Sequence, residues 1–204
     1  MRLFILGATG GTGRQIIAQA LARGHYVTAF VRAPERLRGL DERLMVRRGD
    51  PRDAGELAAA LPQHDAVLSA LGPPGPTRST ILRDSARSMV SAMQATAVTR
   101  LLVVSAAVLF EDAGAFVNLI RRTLLKNVAE DSAAMERQIM ASDLVWTIAR
   151  PPRLTNGRMT GSYRVADGHL PRRGFLLSRA DVAHFLLGEL ERCAYPRRIV
   201  GLAR

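Results

Sequence analysis

The sequence predicts an α/β fold, a doubly wound parallel sheet with helices on both faces. Short apolar runs alternate with segments of helical periodicity through most of the chain. A glycine-rich loop joins the first apolar run to the first helical segment. The 204 residues are 48% hydrophobic and 23% charged, as in an average globular domain. We therefore expect one domain over residues 1–204.

The order of strands and helices follows from where each pattern starts and stops. Residues 2–6 and 26–31 predict the first two strands, and the helix between them ends at Arg23 and Gly24. Further strands are predicted at 44–47, 66–71, 101–105 and 145–149, and helices at 53–61, 81–97, 116–141 and 178–191. Residues 198–200 predict an edge strand. Residues 153–177 hold five glycines and prolines and predict a small irregular lobe on the substrate side.

The formal net charge of +11 does not predict a nucleic-acid surface, because the charge is scattered. Basic residues stand singly or in pairs, Lys126 is the only lysine, and aromatic residues are 5% of the chain. This pattern favours a generally basic surface that binds small anions. We expect no nucleic-acid or membrane partner.

Cysteine and histidine usage narrows the class of protein further. The single Cys193 allows no internal disulfide, and the histidines have no metal-ligand spacing. We expect no metal site. No apolar leader region or span of about 20 apolar residues is present, so we expect a cytoplasmic protein.

Gly7, Gly10 and Gly13 form a G-x-x-G-x-x-G loop between the first strand and the first helix. This context is typical of a dinucleotide site, in which the glycines allow a tight turn, close approach of a diphosphate and close helix packing. Thr9 and Thr12 add hydroxyl donors, and the helix N-terminus offers free N–H groups. No Gly-Lys-Ser/Thr follows, which excludes a phosphate-loop NTPase.

Arg32 stands at the end of the second strand, where NAD-binding chains have an acid for the ribose 2′-hydroxyl. A guanidinium matches the oxygens of a 2′-phosphate, and Arg36 lies close enough in sequence to join it. We therefore predict NADP(H) in preference to NAD(H). Asp50, after the third strand, is a candidate acceptor for the adenine amino group or an ordinary turn aspartate.

These residues occur in order with three further segments, 69–72, 104–106 and 146–152. The sequence resembles the atypical short-chain dehydrogenase/reductases of the NAD(P)H-binding, NmrA-like type, and among them the flavin reductase/biliverdin-IXβ reductase proteins. The likeness covers essentially the whole chain. It implies a Rossmann-like sheet of six or seven parallel strands in order 3-2-1-4-5-6, with NADPH across its carboxyl edge.

The resemblance also implies which positions hold the cofactor. The diphosphate residues are Gly7, Thr9, Gly10, Gly11, Thr12 and Gly13; the 2′-phosphate residues are Arg32 and Arg36; the adenine residues are Asp50 and Pro51; the ribose residues are Leu71 and Gly72. Around the nicotinamide it implies Ser105, Ala106, Pro151, Pro152 and Arg153, with Arg78 closing over the cofactor.

Two departures from the family pattern affect the chemistry. No Tyr-x-x-x-Lys is present, since Phe30, Asp167 and Ile199 stand four residues after the three tyrosines. This disfavours simple ketone reduction. Arg153 stands where the animal biliverdin reductases have a histidine, and a guanidinium is not a general acid near neutral pH. This disfavours a tetrapyrrole substrate.

The resulting hypothesis is an NADPH-dependent reductase that passes hydride to a flavin-like acceptor, such as FMN, or to a quinone. Such an acceptor can take its proton from water, with Ser105 and Arg153 as the candidate catalytic residues. The alternative is a non-catalytic NmrA-like sensor of NAD(P) that binds a regulatory partner. A third hypothesis is a reductase or isomerase of secondary metabolism. The resemblance favours a monomer or weak homodimer with a small-molecule acceptor.

Overall fold

The computed structural model describes residues 1–37, 41–73, 75, 78–110 and 125–204. The strands are β1 (Arg2–Leu6), β2 (Tyr26–Val31), β3 (Leu44–Arg48), β4 (Ala66–Ser69), β5 (Arg100–Val104), β6 (Val145–Arg150), β7 (Arg153–Thr155), β8 (Arg164–Asp167), β9 (Leu176–Ser178) and β10 (Arg198–Ala203). The α-helices are α1 (Gly11–Ala22), α2 (Ala54–Ala60), α3 (Ile81–Gln94), α4 (Lys126–Met140) and α5 (Arg179–Arg192).

The central sheet has its strands in the order β3-β2-β1-β4-β5-β6-β10-β8. Each neighbouring pair from β3 to β10 is parallel, which confirms the predicted doubly wound topology and the order 3-2-1-4-5-6. The strand order reverses between β1 and β4. In open α/β sheets, ligands bind in the crevice outside the carboxyl ends of the strands at such a switch point.

Two buried layers cover the sheet because successive strand residues point to opposite faces. Leu3 and Ile5 of β1 pack against α1 and α5, whereas Phe4 and Leu6 pack against α2, α3 and α4. The central strands are apolar on both faces, as expected for parallel strands covered by helices.

The structure corrects two predictions about the C-terminal part of the chain. Residues 153–177 are not wholly irregular, because β7 and β9 pair as a small parallel sheet and β8 joins the main sheet. The predicted edge strand at 198–200 is longer and lies inside the sheet, between β6 and antiparallel β8. The lobe is therefore tied to the sheet through β10.

The other elements agree with the predicted positions to within a few residues. The helix predicted at 116–141 corresponds to α4 from Lys126, and residues 116–124 lie outside the described part of the chain. Ser178 caps α5 by accepting a hydrogen bond from the Asp181 N–H, as its sequence position predicts. No helix in the described ranges has both the length and the apolar character needed to cross a bilayer.

Candidate functional site

The glycine-rich loop is shaped by close backbone contacts. Gly7 has φ +73°, and its carbonyl accepts a hydrogen bond from Gly10 N–H at 3.0 Å. A Cβ on Gly13 would lie 2.2 Å from the same Gly7 oxygen. Glycine at 13 therefore allows α1 to begin directly against the loop. Gly10 forms the N-cap of α1 without a side-chain cap, so the first N–H groups of the helix face the crevice unpaired.

The loops after β1 and β4 touch at the switch point. A Cβ on Gly7 would lie 2.4 Å from the backbone of Ala70, and Ala70 N–H donates to Leu6 O at 3.0 Å. Leu71 is half-buried, and Gly72 has open space around its Cα. The carboxyl ends of β1 and β4 thus meet at one side of the crevice, where the ribose was predicted to pass.

A pocket of about 340 Å³ lies beside the carboxyl ends of β2 and β3. Its lining residues are Arg32, Arg48, Gly49, Asp50 and Glu56. Arg32 and Asp50 were predicted to belong to the adenosine end of the site, and the pocket brings them together. A Cβ on Gly49 would lie 2.0 Å from the Phe30 ring, so glycine is required for this loop to lie against the sheet.

The charged groups of this pocket are unequally paired. Asp50 binds Arg52 through a side-chain ion pair at 2.6 Å, and this contact lowers the pKa of the Asp50 carboxyl. Glu56 accepts the Asp50 N–H at 2.8 Å. Among the described residues, no carboxylate lies within ion-pair distance of Arg32 or Arg48. Two guanidinium groups are therefore available to an anion.

Two other residues predicted for this end, Pro51 and Arg36, do not line the pocket. Pro51 is buried directly after Asp50. Arg36 is exposed on a short 3₁₀ helix and does not line the pocket. Its carbonyl accepts a hydrogen bond from the Arg14 guanidinium at 2.7 Å, which ties this turn to α1.

The ends of β5 and β6 bring together the residues predicted around the nicotinamide. Ser105 N–H donates to Ala149 O at 2.8 Å, and Ala107 N–H donates to Pro151 O at 2.9 Å. The Ser105 Oγ is buried and has no hydrogen-bond partner among the described residues. A buried hydroxyl without a partner is unusual in a folded protein, which makes Ser105 a candidate for a ligand contact. Ala106 and Pro152 are half-buried beside it, and Arg153 is exposed.

A buried ion pair supports this wall of the site. Arg150, at the end of β6, binds Glu136 of α4 through both carboxylate oxygens. Its guanidinium also lies 4.7 Å from the centre of the Phe110 ring. Since Glu136 binds one edge of the Arg150 guanidinium and Phe110 covers one of its faces, Arg150 acts as a structural group, whereas Arg153 is exposed at this edge.

Several other sequence candidates have ordinary structural positions. Lys126, the single lysine, forms an exposed pair with Glu130. Asp131 is buried and accepts hydrogen bonds from Leu82 N–H and Arg83 N–H, so it caps α3 at the carboxyl edge of the sheet. Arg78 and His169 are both exposed.

Sequence reasoning missed two arginines of the site. Arg48 lines the pocket because β3 pairs with β2 in a register that sets Arg48 opposite Val31, next to Arg32. That pairing was predictable from the order of the strands. Arg179 lies against Gly11, with its Cδ 2.7 Å from the position that a Cβ would take. No sequence pattern predicts a contact between Gly11 and Arg179, which lie near opposite ends of the chain.

The residues present fit a dinucleotide phosphate group. The loop has no side chain where Gly7 and Gly13 meet backbone, and the start of α1 lacks acidic residues. At the β2–β3 end two guanidinium groups have no carboxylate partner within the described part of the chain. The remaining predicted positions lie along the same edge as far as Ser105.

Comparison with known proteins agrees with this geometry. Residues 7–192 match the model of the NAD(P)H-binding family, and the chain belongs to that family. YwnB of Bacillus subtilis, an uncharacterized protein, is 28% identical over 203 residues, with 94% of this chain and 92% of YwnB covered.

Solved structures share the fold. A short-chain dehydrogenase/reductase of Veillonella parvula in complex with NADP has a TM-score of 0.83 at 20% identity, covering 100% of this chain and 94% of that chain. ChuY, an anaerobillin reductase from Escherichia coli O157:H7, has a TM-score of 0.80 at 21% identity, covering 100% and 97%. The chain thus has the fold of the atypical short-chain reductases that its sequence resembles.

Proposed function

We propose that the protein is an NADPH-dependent reductase that transfers hydride to a flavin-like or quinone-like acceptor. The pocket that holds Arg32 and Arg48 carries the cofactor preference. A carboxylate at position 32 would repel a 2′-phosphate, whereas two unpaired guanidinium groups attract it. The family match supports the dinucleotide part of the proposal.

The choice of acceptor rests on the absence of a Tyr-x-x-x-Lys motif from the sequence. The Tyr163 hydroxyl is hydrogen-bonded to His184 at 2.9 Å, and Lys126 pairs with Glu130. Neither residue is therefore part of a Tyr–Lys pair that could protonate a ketone substrate. A flavin or quinone can take its proton from water. The protein then needs only to position the cofactor and the acceptor and to stabilise the charge that develops on the acceptor.

The chain's own residues have simple roles in this proposal. When bound, NADPH supplies the hydride. Ser105 donates its unpaired hydroxyl to the carboxamide or to the acceptor, and Arg153 stabilises negative charge that develops on the reduced acceptor. Arg150 and Glu136 keep the end of β6 rigid beneath them.

Calorimetry tests the cofactor preference. We expect Arg32→Asp to weaken NADP⁺ binding by about tenfold or more, because one charged contact is replaced by repulsion. Binding of NAD⁺ should be unchanged or tighter. Arg52→Ala is the matched control, since that guanidinium already binds Asp50. Equal losses for both dinucleotides would remove the argument for NADP(H).

Steady-state oxidation of NADPH tests the acceptor. FMN, riboflavin and a soluble quinone should each be turned over, and Arg153→Leu should lower kcat more than it changes NADPH binding. Tight NADPH binding without turnover of any acceptor would contradict the reductase proposal. It would favour the alternative, a dinucleotide sensor, which predicts similar affinity for both redox forms and a partner whose binding depends on the cofactor.

A further inference from the structure

Arg179, the first residue of α5, lies across the start of α1. Its Cδ and Nε are 2.7 Å and 2.9 Å from the position of a Cβ on Gly11. The side chain therefore occupies the space that any other residue at 11 would fill. The helices also meet beside this point, where the Gln19 amide donates to Ala180 O at 2.8 Å.

The positive charge at this point is not balanced by a negative group among the described residues. The first turn of α1 contains no acid and Gly10 offers no side-chain cap, so the positive end of the helix dipole is uncompensated. Arg179 adds a full positive charge beside it. Within the described residues its guanidinium meets only neutral oxygens, Asn156 Oδ1 at 2.7 Å and Leu154 O at 3.5 Å. A cation against a helix N-terminus is unfavourable unless an anion lies between them.

The same two contacts connect this cation to the lobe. Leu154 belongs to β7, which follows Pro152 and Arg153 of the nicotinamide end, and Asn156 follows β7 directly. β7 pairs with β9, and β9 leads into Arg179 itself. One side chain thus contacts both the diphosphate loop and the strand beside the reaction site.

We infer that Arg179 is a diphosphate-binding residue supplied by the last helix, and that it couples dinucleotide binding to the order of residues 153–157. The inference rests on the dinucleotide binding of the family and not on the identity of the acceptor. Arg179 is a ligand of the diphosphate and a positioning residue for the lobe.

Calorimetry with two fragments isolates the diphosphate contact. 2′-Phospho-ADP-ribose carries the diphosphate, whereas adenosine 2′,5′-bisphosphate lacks the second phosphoryl group. We expect Arg179→Met to weaken 2′-phospho-ADP-ribose by about ten- to hundredfold, the value of a lost charged hydrogen bond. Binding of adenosine 2′,5′-bisphosphate should be nearly unchanged. Arg179→Lys, which retains the charge without the planar fork, should lie between.

Hydrogen exchange tests the coupling. In the native protein, saturating NADP⁺ should slow amide exchange at residues 153–157 as well as in α1. In Arg179→Met at saturating NADP⁺, protection of α1 should persist and protection of 153–157 should be lost. Asn156→Ala is the matched variant: it should lose the same protection with only a small loss of affinity, because the diphosphate contact remains.

A double-mutant cycle provides a test that does not depend on the ligand. Gly11→Ala must displace the Arg179 side chain, so its cost in stability should fall when Met replaces Arg179. Equal losses of both fragments in Arg179→Met, or protection of 153–157 that survives it, would overturn the inference while leaving NADP(H) binding intact. Failure of the native protein to bind NADP⁺ would instead overturn the proposed function.

Discussion

At the scale of single residues, the site is defined as much by absent side chains as by present ones. Gly13 and Gly7 let two backbone segments touch where α1 begins. Ser105 and Arg153 are the polar groups left for chemistry, since Arg150 is occupied by Glu136 and Phe110. We therefore expect substitution of a loop glycine to change mainly the stability of the protein, and substitution of Ser105 or Arg153 to change mainly binding or turnover.

Gly13→Ala should destabilise the protein by about 2 kcal/mol or more, because its Cβ would meet backbone that cannot move away. The nearest atom, Gly7 O, would be 2.2 Å away. Gly72→Ala is the control, since nothing lies within 4 Å of its Cβ position, and its stability should change by less than about 0.5 kcal/mol. Urea denaturation measures both. Equal effects would contradict the close packing of α1 on the loop.

Ser105→Ala should leave stability unchanged or raise it by up to about 1 kcal/mol, because a buried hydroxyl without a partner is removed. The same variant should bind NADPH more weakly or reduce acceptors more slowly. Thermal denaturation without ligand and NADPH calorimetry give the two readouts. A large loss of stability in the ligand-free protein would mean that the hydroxyl has a structural partner.

At the scale of elements, the N-terminus of α5 holds the lobe in position. The Asp181 carboxylate accepts hydrogen bonds from Thr160 N–H at 2.7 Å, Gly161 N–H at 2.9 Å and the Ser178 hydroxyl at 2.8 Å. Burial alone would raise the pKa of Asp181, but these donors outweigh it and the pKa is lowered. One side chain thus fixes both the start of α5 and the turn before β8.

Asp181→Asn should therefore destabilise the protein by about 2 kcal/mol at neutral pH, since charged hydrogen bonds are replaced by weaker ones. A carboxylate with a lowered pKa stabilises the fold above its unfolded-state value of 3.8, and this contribution is lost as the pH falls through the folded-state pKa. Urea denaturation from neutral to acid pH should show this loss in the native protein and a smaller one in the variant. Asp167→Asn, at an exposed ion pair, is the control; an equal effect there would contradict the prediction.

The elements also explain which parts of the fold the sequence predicts. The strands from β1 to β6 are mostly apolar and are separated by helical segments, so their type and order follow from local pattern, although β3 is partly exposed and ends in two arginines. β8 consists of Arg164, Val165, Ala166 and Asp167, which is too short and polar to indicate a strand. Its pairing with β10 depends on tertiary contacts. Arg32 and Asp50 closely follow strands that the sequence indicates, so both were predicted. The contact of Arg179 with Gly11 depends on tertiary packing, so it was not.

At the scale of the whole molecule, the arginines are spread along the chain but not equally neutralised. Arg23, Arg43 and Arg52 have carboxylate partners. Arg32 and Arg48, which line the pocket at the β2–β3 end, have none among the described residues. Two of the arginines therefore line the pocket at the β2–β3 end, where a dinucleotide phosphate would lie.

This distribution predicts a salt dependence of cofactor binding. Raising NaCl from about 0.05 M to about 0.5 M should weaken NADP⁺ binding more than NAD⁺ binding, because the extra phosphate gains most from the unscreened field. Calorimetry across the series measures both slopes. In Arg32→Asp the two slopes should converge. Parallel slopes in the native protein would mean that the 2′-phosphate is bound without arginine.

The position of β10 between β6 and β8 has a consequence for synthesis. β8 emerges from the ribosome before the strand that it pairs with, and at ordinary rates of translation it waits a few seconds for residues 198–203. During that interval a sheet that already contains β1 to β6 can assemble around the glycine-rich loop. Because β10 pairs with both β6 and β8, its arrival closes two exposed strand edges at once.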